Sequence, residues 1–159
     1  MWGLIGEQPI VPAAGVDQRV PVFGSLNPIT GRLIAQISNG KTSKDFLKHL
    51  KLLLRIYPGR HIFLFADNSS IHHAKAIKRF LADNAECITA IWNAAYTPEL
   101  NLIERYWGHL KAKAINNYYF ETKTKLEKAI RDAVRDLNRS KKLNMVVNLH
   151  LLQTLCKAA

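Results

Sequence analysis

Residues 62–66, Ile-Phe-Leu-Phe-Ala, form an unbroken apolar run that stops at Asp67-Asn68-Ser69-Ser70. Five apolar residues, rich in β-formers and closed by turn-formers, are too few for a helix and fit a buried strand. Asp67 then falls at the C-terminal end of that strand, the edge where open α/β sheets gather their ligand sites. A second β-rich run, residues 88–92, follows a stretch with Ala74, Ile77, Phe80 and Leu81 at helical spacing. Strand, helix and strand in that order predict a parallel pair joined by a right-handed crossover. The fold class read from this pattern is α/β.

The remaining elements follow from punctuation. Residues 19–24 alternate, Asn27-Pro28-Ile29-Thr30-Gly31 is a turn, and residues 33–37 answer as a second strand. This hairpin and the strand at 62–66 are expected to share one three-stranded core sheet. Thr42 or Ser43 caps a helix running to about Tyr57, with Phe46, Leu47, Leu50, Leu53, Leu54 and Tyr57 inward, and Pro58-Gly59 ends it. The other face of that helix carries Lys41, Lys44, Lys48, Lys51 and Arg55, opposed only by Asp45. A solvated face and a contact with a DNA backbone both fit it. After Asp67-Asn68 comes Ser69-Ser70-Ile71-His72-His73, and a helix is expected to follow to about Asp83, with Ala74, Ile77, Phe80 and Leu81 inward. Thr124-Lys125-Leu126-Glu127 reads as a capping box opening a helix with Leu126, Ile130, Ala133, Val134 and Leu137 on one face, ending between Asn138 and Lys142. A short apolar helix is expected from about Met145 to Leu155. Residues 1–18, with three glycines and two prolines, read as loop with at most a short strand at Ile10-Val11.

A second acid stands out. Thr97 can cap a helix whose first residue is Pro98, and Leu100, Ile103, Trp107 and Leu110 then recur at helical spacing to about Asn117. Glu104 lies one turn from Leu100 and one turn from Gly108, so it is expected to point inward. A carboxylate there is costly unless it is paired or binds a metal. The chain around the two acids is basic: 23 Lys and Arg stand against 12 Asp and Glu, a formal net charge of +11. That charge implies a polyanionic partner, nucleic acid before an anionic membrane surface. Two carboxylates in a basic chain suit metal-assisted phosphodiester cleavage, in which hard oxygen donors hold Mg²⁺ or Mn²⁺.

Composition bounds the rest. A chain of 159 residues with 48% apolar content is expected to be one domain with a real core, spanning residues 1–159. Its two cysteines, Cys87 and Cys156, have no metal-ligand spacing and make no disulfide framework, which points to a reducing cytosol. The sequence shows no signal peptide and no apolar run long enough to span a membrane.

At the level of motifs, "LFADNSSIHHAK" (residues 64–75) and "YTPELNLIERYWGHLK" (residues 96–111) resemble the second and third acidic blocks of DDE-type transposases of bacterial insertion sequences, in the mariner-related branch. The segment Trp2-(x3)-Gly6-(x2)-Pro9 and "VFGSLNPITGRLIAQI" resemble the stretch between the first and second acids of that family, so the likeness covers nearly the whole chain. It implies a ribonuclease H-like fold, a mixed central sheet flanked by helices. It implies Asp67 and Glu104, 37 positions apart, as catalytic acids and ligands of Mg²⁺ or Mn²⁺. Supporting residues would be Asn68, His72 and Asn101. Asn68 orients either the metal ligand or its own turn. His72 serves the metal site, a phosphate, or merely a cap. Lys44, Lys48, Lys51, Arg105 and Lys111 would meet DNA. The implied activity is metal-dependent strand cleavage and strand transfer at transposon ends. The implied partners are terminal inverted repeats and target DNA, with a homodimer or an upstream fragment as protein partner and no membrane. The implied location is the bacterial cytoplasm, at the nucleoid.

The resemblance also leaves a gap. Family members carry a first Asp on a strand upstream of the Trp-Gly-Pro segment, and here that segment starts at Trp2. Glu7 and Asp17 fall after that position. The chain is therefore expected to lack the first strand, the first acid and the helix-turn-helix region, and to be inactive alone. A split or frameshifted gene, a decayed gene and a shortened chain are all compatible with this. The alternative function is a non-catalytic DNA-binding or regulatory fragment.

Overall fold

The structure is a computed structural model that describes residues 19–93, 103–116 and 118–140. The expectations for Trp2, Glu7, Asp17, Thr97, Pro98, Asn101 and the helix at 145–155 lie outside those residues. The element order is β1 (Val22–Leu26), β2 (Leu33–Ile37), α1 (Ser43–Ile56), β3 (Ile62–Ala66), a 3₁₀ turn (Ser70–His73), α2 (Lys75–Asp83), β4 (Ile88–Trp92), α3 (Ile103–Ala114) and α4 (Lys123–Arg139).

β1 and β2 form the expected antiparallel hairpin, with Val22 opposite Ile37 and Leu26 opposite Leu33. The Asn27 side chain shapes the turn by accepting from the backbone N–H groups of Ile29 and Thr30 at 3.0 and 3.1 Å. Gly31 closes it at φ 68°, a conformation that side chains with a Cβ rarely adopt. β3 and β4 form the expected parallel pair, Ile62 opposite Ile88 and Ala66 opposite Trp92. The two pairs are not hydrogen-bonded into one three-stranded sheet: each is a separate two-stranded unit among the described residues. Alternation along a strand sets which residues share a face. It does not say which strand edges meet, and that is where the expectation failed.

One helix joins the two units. α1 is capped by Thr42, whose hydroxyl accepts from the backbone N–H of Asp45 at 3.3 Å. Its apolar face brings Phe46 and Leu50 to Ile77 of α2 and Ile88 of β4. Phe23 of β1 and Ile62 and Leu64 of β3 pack on the same cluster. A second cluster lies on the other side of the hairpin, where Leu33 meets Tyr106 and Leu110 of α3 and Ala133 and Leu137 of α4. Asn138 fixes α4 to β2 by both donating to the Leu33 carbonyl and accepting from the Leu33 N–H, each at 2.8 Å. The hairpin is thus covered on both faces.

Several local expectations shift. Asp45 does not oppose the lysines from the solvent. It is buried and bonds the Thr42 hydroxyl at 2.7 Å, which holds its carboxyl below the usual carboxylate range. The helix after His73 runs as expected to Asp83, and the residues before it, Ser70–His73, form a 3₁₀ turn set off from α2 at Ala74 (ψ 145°). The cap of α4 is Thr122 rather than Thr124: Thr122 holds the extended backbone a cap needs, and its hydroxyl accepts from the Lys125 N–H at 3.3 Å. α3 ends at Ala114 instead of about residue 117, while α4 ends at Arg139, within the expected bounds. Among the described residues no helix is long and apolar enough to cross a membrane.

Candidate functional site

The β3–β4 ladder carries Asp67 to the strand ends. Ala66 is paired with Trp92, and its carbonyl also accepts from the Asn93 N–H at 2.8 Å, so the backbone is pinned one residue before the acid. The chain then turns through Asn68 and Ser69 into the 3₁₀ turn. This matches the expected placement of Asp67 at the C-terminal end of a strand. Its side chain is 67% exposed and open to a ligand.

The turn folds His72 back onto the acid. Its Nδ1 lies 2.9 Å from the Asp67 backbone carbonyl and 3.2 Å from Asp67 Oδ1. A carbonyl only accepts, so Nδ1 carries the proton and donates to it, with the carboxylate oxygen of the same residue standing close by. The imidazole is only 7% exposed. It packs against Phe46 of α1 (ring centroids 4.2 Å apart) and lies nearly parallel to Trp92 (5.7 Å, 15°). His73 does the same for the next residue: its Nε2 donates to Asn68 Oδ1, and its ring sits 5.0 Å from Trp92. Asp67, Asn68 and His72 are therefore brought together as expected. Trp92, His73 and Phe46 complete the cluster and were missed. The signal available for His73 was the adjacent His-His pair five residues after Asp-Asn. Trp92 offered only its place at the end of the partner strand.

Glu104 is held by other elements. It lies in the first turn of α3, which packs on β1 and α4. It is exposed and does not point inward. Tyr106 and Leu110 are the buried residues of α3, with Ile103, Trp107 and Ala114 packed beside them. With 3.6 residues per turn, that stripe leaves Glu104 at its border, and the neighbour taken as apolar on the far side, Gly108, is itself exposed. Trp107 is core packing, its ring against Gly24 of β1.

The cations on both helices face solvent. Lys44, Lys48 and Lys51 are exposed on α1, Lys48 lying 3.3 Å from Asp45, and Arg105 and Lys111 are exposed on α3. As for a metal, no group of three His, Cys, Asp or Glu side chains able to hold an ion occurs among the described residues. The donor chemistry nonetheless fits Mg²⁺, which is usually bound through one or two carboxylates, with water and substrate phosphate completing the shell. Asp67 and Glu104 are hard oxygen donors, and both are exposed.

Comparison with known proteins gives the fold and the family. The catalytic core domain of BIV integrase superposes with a TM-score of 0.58 at 20% identity, over 77% of this chain and 77% of that one. The simian T-cell lymphotropic virus intasome, solved with the PP2A regulatory subunit B56 gamma, gives 0.57 at 17% identity, over 78% of this chain and 50% of that one. These likenesses establish the ribonuclease H-like fold. In sequence, the chain is 29% identical over 131 residues to the insertion element IS630 uncharacterized 39 kDa protein of Shigella sonnei. The match covers 82% of this chain and 38% of that relative, so the chain spans well under half the length of the curated relative it matches. The sequence profile described as DDE superfamily endonuclease matches residues 1–127, four-fifths of the chain and both acidic blocks. A strand-end aspartate, a helical glutamate and this match place the chain in the DDE superfamily endonucleases.

Proposed function

We propose that this chain is the catalytic portion of an insertion-sequence transposase that cuts and rejoins DNA phosphodiester bonds at element ends. The observation that carries this reading is Asp67, exposed at a strand's C-terminal end and tethered by His72, within a chain that matches the DDE endonuclease family over both acids. Asp67 and Glu104 would hold Mg²⁺ or Mn²⁺, with Asn68 and Asn101 beside them. When bound, the ion supplies Lewis-acid chemistry, easing deprotonation of the attacking water or 3′-hydroxyl and shielding charge that builds on the phosphate. The chain's own part is positional. The two carboxylates orient around the reacting phosphate, and their exposure lets a polyanion reach them. Lys44, Lys48, Lys51, Arg105 and Lys111 neutralise flanking phosphates, which makes binding weaken steeply with salt.

A second reading is favoured by one observation: among the described residues no group of three His, Cys, Asp or Glu side chains is placed to hold an ion. A site short of a third ligand binds an ion weakly, and the chain would then occupy DNA ends without cutting them, as a regulatory fragment does. The partners are terminal repeats and target DNA, together with a second copy or an upstream fragment in the assembled enzyme.

The experiment is Mn²⁺-dependent nicking of duplex DNA carrying insertion-element ends. Nicking abolished by Asp67→Asn and by Glu104→Gln supports the catalytic reading. DNA binding without metal-dependent nicking, unchanged in Asp67→Ala, supports the regulatory one. Nicking by Glu104→Gln at the wild-type rate removes that residue from the site.

A further inference from the structure

Two consecutive histidines hold two consecutive turn residues, each across five positions, and both rings rest on one tryptophan. We propose that His72 and His73, seated on Trp92, form a two-point clamp that fixes the direction of the Asp67 carboxylate; this rests on the reading of Asp67 as a metal ligand. The three are positioning residues: they act through Asp67 and Asn68.

The contacts close a ring. Trp92 is paired with Ala66 in the ladder, and the Asn93 N–H bonds the Ala66 carbonyl at 2.8 Å. The chain leaves Ala66 through Asp67 and Asn68, turns, and returns by His72 and His73 to Trp92. The seat of the clamp is thus attached to the same strand end that carries the acid. Phe46 closes against His72 from α1 at 4.2 Å, so the imidazole is held by packing as well as by its hydrogen bonds. An aspartate with a side chain 67% exposed would otherwise sample several rotamers. Here the imidazole Nδ1–H is anchored on the Asp67 backbone carbonyl at 2.9 Å and stands 3.2 Å from Oδ1, close enough to bias where the carboxylate points. Partners that orient a ligating group in this way are worth roughly 10–100-fold in metal affinity.

A role in packing alone makes a different prediction, and paired substitutions separate the two. His72→Phe keeps an aromatic ring between Phe46 and Trp92 but removes the donor. His72→Asn places an amide N–H near the position of Nδ1 but removes the ring. His73→Phe and His73→Gln do the same for the second point, and Trp92→Leu removes the seat. Two readouts are taken on the full chain: the tautomer of His72 by ¹⁵N NMR without metal, and Mn²⁺ affinity by electron paramagnetic resonance. The clamp predicts an Nδ1–H tautomer at His72. It predicts a loss of Mn²⁺ affinity of about 10-fold or more in His72→Phe, largely restored in His72→Asn, with a smaller loss in His73→Phe and loss again in Trp92→Leu. An Nε2–H tautomer, or wild-type affinity in His72→Phe while Asp67→Ala loses the ion, overturns the clamp and leaves the reading of Asp67 standing. Wild-type affinity in Asp67→Ala overturns both.

Discussion

The two halves of this sheet layer are built to different standards. The hairpin β1–β2 is covered on both faces: Phe23 meets the α1 cluster, while Leu26 and Leu33 meet α3 and α4. Gly24 lies so close beneath α3 that a Cβ there would stand 2.4 Å from the Trp107 ring. Among the described residues the parallel pair β3–β4 is covered on one face, by α1 and α2 through Ile62, Leu64 and Ile88. On its other face Phe63 is 64% exposed and Thr89 is exposed. Of the two proposed acids, Asp67 sits on the less covered half, while Glu104 rides on α3 beside the hairpin. The exposed Asp67 is ordered by polar and aromatic contacts, His72 on its backbone carbonyl and both histidines on Trp92. α1 packs on both halves.

If α1 is the shared layer, the largest effect should come from its centre. Leu50 is fully buried in the cluster that residues of both halves pack against, so Leu50→Ala should cost about 4 kcal/mol and disturb amide signals of both β1 and β3. A loss confined to one half in a denaturant titration followed by NMR would break the comparison. Gly24→Val should cost about 3 kcal/mol by overpacking against Trp107, with the disturbance confined to the hairpin, α3 and α4. Chemical shifts of Asp67 and His72 are expected to hold still in that variant.

Acid sharpens the contrast. His49 of α1 is buried against β1, its Nε2 2.8 Å from Ser25 Oγ and its Nδ1 without a partner. Burial pushes its pKa down from 6.5 to about 4. The unfolded chain therefore takes up a proton before the folded one does. The stabilisation is full above pH 6.5 and is lost as pH falls towards 4, a swing of order 3 kcal/mol. Urea midpoints measured across that window should fall in the wild type and stay flatter in His49→Gln. The smallest effect belongs to the open face. Phe63→Thr should change stability by less than about 0.5 kcal/mol, because that ring is mostly solvated already.

Much of this was legible in the residues. The apolar run at 62–66 located β3 and Asp67, the spacing of Phe46, Leu50 and Leu53 located α1 and its buried face, and Asn27 with Gly31 located the hairpin turn. These signals are local, and local sterics and periodicity decide them. What was not legible depended on contacts between distant segments. Alternation could not say that β1 and β3 fail to pair. A window centred on Glu104 could not say whether the buried stripe of α3 lies to its left or right. It is set by Leu33 and α4, and it leaves Glu104 exposed. Nor could the His-His pair declare its partners before β4 had delivered Trp92 to the same strand end.

The central claim is that Asp67 and Glu104, carried by separate elements, serve one ion. Mn²⁺ titration of the wild type, Asp67→Asn, Glu104→Gln and the double variant tests it directly. A shared ion predicts that either single change removes most of the affinity and that the second change adds little. Tight Mn²⁺ binding retained in Glu104→Gln, with the two losses simply additive, would contradict it.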